Sequence, residues 1–257
     1  MGAGMFVSAS GALTNMHRLD VASNNLANVN TTAFKKDFAY QVPRQPERLE
    51  DSLYHLGSDE LLDQLAGGVL NGETKTDFSA ASFSFTNNPL DAAIDGDGFF
   101  VVESGDGDPW LTRDGRFTLD PNGMLVSSTS GQPVLSDSDQ TILVDPNQPV
   151  TLSPLGEVIQ GERAVARLKL VTVDDPSVLK KTLGGFFASK YGDPLDVEHN
   201  GGVRIAPESI EDSGVDPIMA LMGVTSAGAG VRNNMRLMQL YDELDNRSIN
   251  RLGNVTG

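Results

Sequence analysis

The sequence predicts an α+β protein: N- and C-terminal α-helices that pair as a coiled-coil-like inner domain, with a central, mainly antiparallel β domain. In both terminal segments, apolar and small residues recur at alternating spacings of three and four. This is the period of a helix that packs lengthwise on another helix. The middle of the chain instead has short apolar runs separated by Asp-Gly and Asn-Gly, which is typical of antiparallel strands.

The N-terminal helix is predicted over residues 4–28. It ends in the Asn- and Thr-rich segment 23–32, whose side chains compete with the helix for backbone hydrogen bonds. We expect three of its amides, those of Asn24, Asn25 and Asn28, to bond neighbouring backbone and to belong to an assembly interface. The stripe of this helix consists of Met5, Ala9, Ala12, Met16, Leu19, Ser23 and Leu26.

The C-terminal helix is predicted from Pro217 to about Leu252, with Asp216 as its N-cap. Glycines in its first half cost roughly 1 kcal/mol each relative to Ala, which is tolerable where a neighbouring helix comes very close. Neither terminal helix can bury its stripe alone, so we expect the two to pair with each other and with copies of the chain. The C-terminal stripe consists of Val224, Gly228, Val231, Met235, Met238, Ile249 and Leu252.

Three domains are expected. Residues 1–35 and 206–257 form a helical assembly domain, 36–76 an extended connector that includes a short helix from Glu60 to Leu65, and 77–205 a β-rich outer domain. Strands are predicted at 82–85, 99–102, 111–113, 116–119, 124–126, 141–144 and 164–173. A hairpin is expected at Asp114-Gly115 and another turn at Pro121-Asn122-Gly123.

The net charge of −16 is concentrated in the middle of the chain. Residues 1–36 carry +2 and residues 215–257 are neutral, so the intervening residues carry −18. Such an acidic surface repels nucleic acids and anionic lipids, so neither is expected as a partner.

The chain has no cysteine, which excludes disulfides, thiolate nucleophiles and Cys-ligated metals. No apolar run reaches the roughly 20 residues of a membrane span. The N-terminus also lacks the basic and continuously apolar regions of a cleavable signal, so any export is expected to leave it intact.

No catalytic, metal or cofactor site is predicted, and no small-molecule substrate. The acidic pairs Asp95/Asp97 and Asp106/Asp108 suggest calcium at first. Counted from Asp95, however, the loop lacks the glycine and glutamate that an EF-hand needs at its sixth and twelfth positions. The three histidines His17, His55 and His199 lack metal-ligand spacing.

Five segments resemble the rod and hook proteins of the bacterial flagellar basal body, which are axial structural proteins. Residues 19–35 read LDVASNNLANVNTTAFK, similar to the family's N-terminal signature. Residues 90–100 and 112–131, with their AIDGDGFF and TRDGRFTLD runs, resemble its central motif, and 211–215 and 234–244 resemble its closing segment.

The resemblance implies a structural subunit of the flagellar rod that polymerises helically, transmits torque and surrounds the export channel. It implies as partners copies of the chain, other flagellar rod proteins and the flagellar export apparatus, with a location in the periplasmic rod of the basal body and no cleaved signal. Chain length and the closing residues favour the proximal rod.

The chain departs from the family pattern at four positions, which are Ala33, Gly214, Ala229 and Val231. Ala33 stands where the family has glycine, so a backbone angle suited to glycine is either absent or strained.

Three alternatives remain open at this point. The first is a distal-rod or hook-type subunit of the same family. The others are a secreted β-fold hydrolase, which needs a cleft with convergent polar groups, and an adhesin whose determinants lie in the β domain.

Overall fold

The computed structural model describes residues 3–44, 68–105, 109–182, 184–191, 197–199 and 203–253. The chain forms two compact units. Unit 1 comprises Met1–Ala27, Asp37–Thr76 and Asp216–Gly257, and unit 2 comprises Asn28–Lys36 and Asp77–Val215. The sequence-based domain bounds given above stay predictions.

Among the described residues of unit 1, two helices form: α1 (Ala3–Ala27) and α2 (Pro217–Gly253), both close to the bounds expected from the sequence. Asp216 caps α2 as predicted, since its Oδ1 accepts hydrogen bonds from the backbone N–H of Ile218 (2.8 Å) and Met219 (3.0 Å). The two helices pack on each other, which confirms the α+β fold class with paired terminal helices. Coiled-coil supercoiling stays a prediction.

A β-ribbon packs on α1 within unit 1. Its strands are β1 (Asp37–Phe38), β2 (Gln41–Pro43), β3 (Val69–Asn71) and β4 (Lys75–Thr76), with β1 paired to β4 and β2 to β3, both antiparallel. Asn25 fastens the ribbon to α1, because its amide donates to the Asp37 carbonyl (2.8 Å) and accepts from the Asp37 N–H (2.9 Å). The helix predicted from Glu60 to Leu65 lies outside the described residues.

In its described residues, unit 2 consists of strands and one short 3₁₀ helix, Pro176–Val178. Its strands are β5 (Phe83–Phe85), β6 (Ala92–Asp95), β7 (Phe99–Val102), β8 (Trp110–Thr112), β9 (Phe117–Leu119), β10 (Leu125–Ser127), β11 (Val150–Leu152), β12 (Glu157–Gln160), β13 (Arg163–Arg167), β14 (Leu170–Val173), β15 (Leu179–Lys181), β16 (Phe186–Ser189), β17 (Val197–His199), β18 (Arg204–Pro207) and β19 (Ser209–Glu211).

A six-stranded sheet in the order β15-β16-β8-β7-β14-β17 is the largest sheet of unit 2. A three-stranded sheet, β11-β12-β13, and the pairs β9–β10, β6–β18 and β5–β19 complete it. Every named pairing is antiparallel, as predicted. β7 buries residues on both of its faces: Phe100 packs edge-to-face on Phe117 (5.0 Å between ring centroids), and Phe99 packs on Phe187 (5.7 Å).

The prediction of a hairpin at Asp114-Gly115 is wrong, because β8 and β9 do not pair with each other. β8 lies in the six-stranded sheet between β16 and β7, whereas β9 pairs with β10 across the turn predicted at 121–123. The chain at Gly115 passes against Ala92 instead, whose N–H donates to the Gly115 carbonyl (3.0 Å). A Cβ at Gly115 would lie 1.7 Å from the Ala92 oxygen, so the glycine serves this close approach and not a hairpin turn.

Two other strand predictions need correction. Residues 141–144 make only isolated bridges, at Thr141 and Leu143. The strand predicted over 164–173 is two strands, β13 and β14. Lys169 donates its N–H to the Leu135 carbonyl, and β14 then pairs with β7 and β17, whereas β13 pairs with β12.

The segment that follows α1 is tied to the segment that precedes α2 inside unit 2. The Ala33 N–H donates to the Glu211 carbonyl (2.8 Å), the Gly214 N–H donates to the Phe34 carbonyl (2.8 Å), and the Ser213 hydroxyl donates to the Asn28 carbonyl (2.9 Å). We call these residues, 28–36 with 209–215, the junction.

Ala33 adopts the left-handed conformation, with φ of 56°. It is buried and its N–H is bonded, so the junction holds it there despite the steric cost of its Cβ.

We expect Ala33→Gly to stabilise unit 2 by about 1 kcal/mol, because glycine removes the clash of Cβ in the left-handed region. Urea unfolding followed by tryptophan fluorescence measures this, since Trp110 lies in unit 2. Ala93→Gly is the control and should destabilise, because Ala93 is buried in β6 and has no such strain. A loss of stability in Ala33→Gly would contradict the assignment of strain.

Candidate assembly interface

Helices α1 and α2 run antiparallel and approach each other closely at small residues. Gly4 lies beside Tyr241, Gly11 beside Asn234, Asn15 beside Gly230 and Ala22 beside Gly223. Successive contacts are seven, four and seven positions apart on both helices, so the register is constant along the pair. The approach is tight, since a Cβ built on Gly230 would lie 2.7 Å from Asn15 Oδ1.

The centre of this contact is internally symmetric. The Asn15 amide donates to the Gly11 carbonyl four residues earlier (2.9 Å), and the Asn234 amide donates to the Gly230 carbonyl in the same way (3.0 Å). Each asparagine lies against the glycine of the other helix. The same Gly-x-x-x-Asn unit thus occurs once on each helix, and the two units are related by a local twofold axis perpendicular to the helices.

The predicted stripes lie one residue after this closest contact. On α1, positions 4, 11 and 15 contact α2, whereas the predicted stripe has 5, 12 and 16. On α2, positions 223, 230 and 234 contact α1, whereas the predicted stripe has 224, 231 and 235. One residue is a rotation of about 100° on a helix, so each stripe flanks the contact and does not fill it. The pairing of the two helices is confirmed, and in its closest contacts a glycine of one helix faces Asn15, Asn234 or Tyr241 of the other.

The local twofold axis is perpendicular to the plane that contains both helices. Rotation about it exchanges the two helices but leaves residues on the same side of that plane, so both stripes lie on one side of the helix pair. Met16 and Met235 occupy equivalent positions and are 46% and 49% exposed. Ala12 is buried, and the others are half-buried. We call this set the paired apolar face; it consists of Met5, Ala9, Ala12, Met16 and Leu19 with Val224, Gly228, Val231, Met235 and Met238.

The other residues predicted for the interface are spread more widely. Asn24 is exposed, Leu26 is half-buried near the end of α1, and Asn28 lies in the junction, where its Oδ1 accepts from the Thr31 hydroxyl (3.1 Å). Ile249 and Leu252 lie in the backbone range of α2, but their side chains are outside the described residues. A role for any predicted residue in contacts between subunits stays a prediction.

The sequence carried a signal for the helix contact that the apolar stripe hid. Small residues repeat one position before the stripe on each helix, as Gly4, Ser8 and Gly11 on α1 and as Gly223, Ala227 and Gly230 on α2. Small residues at helical spacing permit close approach, whereas a hydrophobic scan gives weight to the larger neighbours.

An apolar groove lies between α1 and the ribbon within unit 1. Phe6 and Leu13 follow Gly4 and Gly11 by two positions, which places them about 200° around the helix from the α2 contact. They are 62% and 63% exposed. The groove is lined by Phe6, Ala9, Ser10, Leu13, Thr14, Arg44, Val69, Leu70 and Asn71.

A second exposed apolar surface covers the first two turns of α2. Residues 217–231 contain no charged side chain, and four large apolar residues among them are more than half exposed. A helix segment that is apolar around most of its circumference normally requires burial. We call this surface the α2 start; it consists of Ile218, Met219, Leu221 and Met222.

A buried charge cluster holds the junction together inside unit 2. Lys35 Nζ lies 2.7 Å from Glu211 Oε1 and donates to the Ser79 carbonyl (2.8 Å). Arg113 Nη1 lies 3.7 Å from Glu211 Oε2, and its guanidinium stacks over Phe99 at 5.3 Å. The three charged side chains are at most 2% exposed. Burial lowers the pKa of Lys35 below its ordinary value, opposed by the hydrogen bond to Glu211.

These three residues come from three segments that resemble the flagellar family motifs: Lys35 from the N-terminal one, Arg113 from the central one and Glu211 from the closing one. The sequence did not show that they meet, because they are 78 and 98 positions apart. Their meeting shows that the cluster fastens the segments leading to both helices onto the β unit.

Among the described residues, no three His, Asp or Glu side chains are grouped to hold a metal. Asp95 and Asp97 are exposed at the turn before β7, and Asp106 and Asp108 lie outside the described residues. His17 contacts Thr74 of the ribbon (3.4 Å), so it faces this chain and not bulk solvent alone. In the described part of the chain, the helices fall short of the length and apolarity that crossing a membrane requires.

Two family models match the chain. The model described as flagellar hook protein FlgE/F/G D1 domain matches residues 93–160, and the model described as flagella basal body rod protein matches residues 5–35. The first match lies within unit 2, and the second covers most of α1 and the start of the junction.

Three relatives illustrate the similarity. The flagellar basal-body rod protein FlgF of Caulobacter vibrioides is 31% identical over 254 residues, which is 98% of each chain. The rod protein FlgG of Buchnera aphidicola subsp. Baizongia pistaciae is 36% identical over 48% of this chain and 49% of that protein. The flagellar hook protein FlgE of Helicobacter mustelae is 38% identical over 48% of this chain and 28% of that protein.

These matches define an axial structural protein of the flagellum. The full-length similarity to FlgF goes further: the chain belongs to the flagellar basal-body rod protein family.

We expect Gly230→Ala to destabilise the helix pair by roughly 1–3 kcal/mol, because the new Cβ displaces Asn15 from its bond to Gly11. Gly228→Ala is the matched control. Its Cβ would meet only Arg232 of the same helix, at 3.5 Å, so it should stabilise α2 by up to about 1 kcal/mol. Thermal unfolding monitored by far-ultraviolet circular dichroism measures both. Equal effects of the two substitutions on stability would contradict the close contact between Gly230 and Asn15.

We expect Glu211→Gln to destabilise unit 2 by roughly 3–5 kcal/mol, since it leaves two buried cations without their anion. Lys35→Met should cost less, because the Arg113–Glu211 pair remains. Lys36→Met is the control: its pair with Asp77 (3.2 Å) is about one-third exposed, and its loss should cost under about 1 kcal/mol. Urea unfolding tests this ranking, and a Lys35→Met variant less stable than Glu211→Gln would reverse it.

Proposed function

We propose that this chain is a structural subunit of the flagellar basal-body rod that polymerises helically through its terminal helices. Family membership supports the rod assignment. The observation that carries the mechanism is the paired apolar face, where apolar residues of both helices lie on one side of the pair and Met16 and Met235 stay about half-exposed in a single chain.

Burial of this face needs a neighbouring molecule. Full burial of an exposed Met side chain is worth roughly 1.5–3 kcal/mol. Met16 and Met235 are already about half-buried, so covering each of them gains about half of that. The local twofold axis relates only the two helices, since the groove on α1 has no counterpart on α2, where Arg232 stands at the position equivalent to Leu13. The surface of the pair is therefore asymmetric, which suits heterologous contacts that repeat without closing.

The subunit binds copies of itself and other rod proteins, transmits torque around the export channel, and occupies the periplasmic rod, with a position in the proximal rod. It reaches that place through the flagellar export apparatus without a cleaved signal, and it has no catalytic role. A cysteine-free chain with glycine-weakened helices is suited to export in an unfolded state.

Met16→Asp and Met235→Asp test the paired apolar face. Each should lower the amount of subunit in purified basal bodies by at least about tenfold, because assembly would bury an unpaired carboxylate. Far-ultraviolet circular dichroism of the purified variants should match that of the unsubstituted chain, since both positions are about half-exposed.

Gln239→Asp is the matched control. Gln239 is exposed on α2, and the equivalent position on α1 already carries an aspartate, Asp20. This variant should enter basal bodies within about twofold of the normal amount. Normal incorporation of both methionine variants would overturn the proposed face.

A further inference from the structure

The groove on α1 and the α2 start are complementary apolar surfaces of the same unit. The groove presents Phe6, Leu13 and Leu70, each about half-exposed or more, above a floor that includes Ala9 and Ser10. The α2 start presents Ile218, which is 71% exposed. Seating an apolar helix face in a groove with a small-residue floor is a common mode of helix recognition.

The charges at the two surfaces are also complementary. Residues 3–17 of α1 and 217–231 of α2 contain no Asp, Glu, Lys or Arg. The groove has Arg44 at its edge, with the guanidinium 6.0 Å from the Phe6 ring centroid. The α2 start has Asp216 immediately before it, and both cap bonds use Oδ1, which leaves Oδ2 available to a guanidinium.

The two surfaces lie at opposite ends of the helix pair. The groove lies along the first half of α1, whereas Gly223 lies beside Ala22, so the α2 start lies near the end of α1. About 14 residues of helix separate Leu13 from the level of Ile218, which is roughly 20 Å. One chain therefore cannot place its own α2 start in its own groove. A second copy can do so if it lies against the face of α1 opposite α2 and is displaced along the helix axis.

We propose that the α2 start of one subunit docks in the α1 groove of a second copy, with Asp216 facing Arg44, and that this contact repeats along the axis of the polymer. The contact is heterologous: each subunit offers a groove at one end and a helix start at the other, so the chain of contacts has no natural end. This rests on the proposed function and adds an axial contact to the paired apolar face.

Disulfide trapping tests the contact, because the chain has no cysteine of its own. Leu13→Cys and Ile218→Cys are made in the full chain, singly and together, and oxidised at concentrations up to the solubility limit. The double variant should give a ladder of oligomers, and an equimolar mixture of the single variants should give only a heterodimer. An intrachain disulfide is excluded by the distance, since bridged Cα atoms lie within about 7 Å.

Two controls sharpen the result. Leu240→Cys is also about half-exposed on α2 but lies outside the α2 start, so it should not couple to Leu13→Cys. Asp216→Asn keeps the helix cap but removes the charge, so the yield between Leu13→Cys and Ile218→Cys should fall about twofold to fivefold at low salt.

Three results would overturn the axial contact. The first is a disulfide between two copies of Leu13→Cys, and the second is preferential coupling of Leu13→Cys to Leu240→Cys. The third is the absence of any interchain disulfide, which is expected if another segment of the same chain covers the groove. If coupling fails while Met16→Asp and Met235→Asp are still excluded from basal bodies, the axial contact is wrong and the proposed function stands. If coupling occurs while those variants incorporate normally, the paired apolar face is wrong instead.

Discussion

The close approach of the two terminal helices determines what this chain can offer to another molecule. Gly11 and Gly230 have no side chains, so each accepts an asparagine of the opposite helix, and Gly4 accepts the Tyr241 ring in the same way. The larger residues of the two apolar stripes lie to one side of this contact. A seam of methionine and leucine would have buried the same residues and left a far less apolar surface.

The junction holds together the two segments that lead into the helices. Backbone hydrogen bonds from Ala33 and Gly214 join the two segments, and the Lys35–Glu211–Arg113 cluster ties them to the β unit. A buried cluster is a poor source of net stability, because desolvation offsets most of its Coulombic attraction. It strongly disfavours incorrect packing of these segments, however, because burying any of the three charges without its partners costs free energy.

Sequence reasoning reached the fold class, both helices within a residue or so and the turn at Asn122-Gly123, because each rests on local signals: periodicity, an N-cap and turn residues. It failed at Asp114-Gly115, where a hairpin dipeptide serves a backbone contact with Ala92 instead. It also missed the charge cluster, since charged residues 78 and 98 positions apart carry no local mark of meeting.

The sequence alone determined that two apolar stripes exist and that each needs a partner, because helical periodicity is a property of neighbouring residues. Only the tertiary structure decided which face of each helix meets the other. That choice depends on how closely two backbones can approach, and a shift of one residue turns a helix by about 100°. The stripes expected inside the helix pair therefore lie on one side of it, where we propose that a neighbouring subunit covers them.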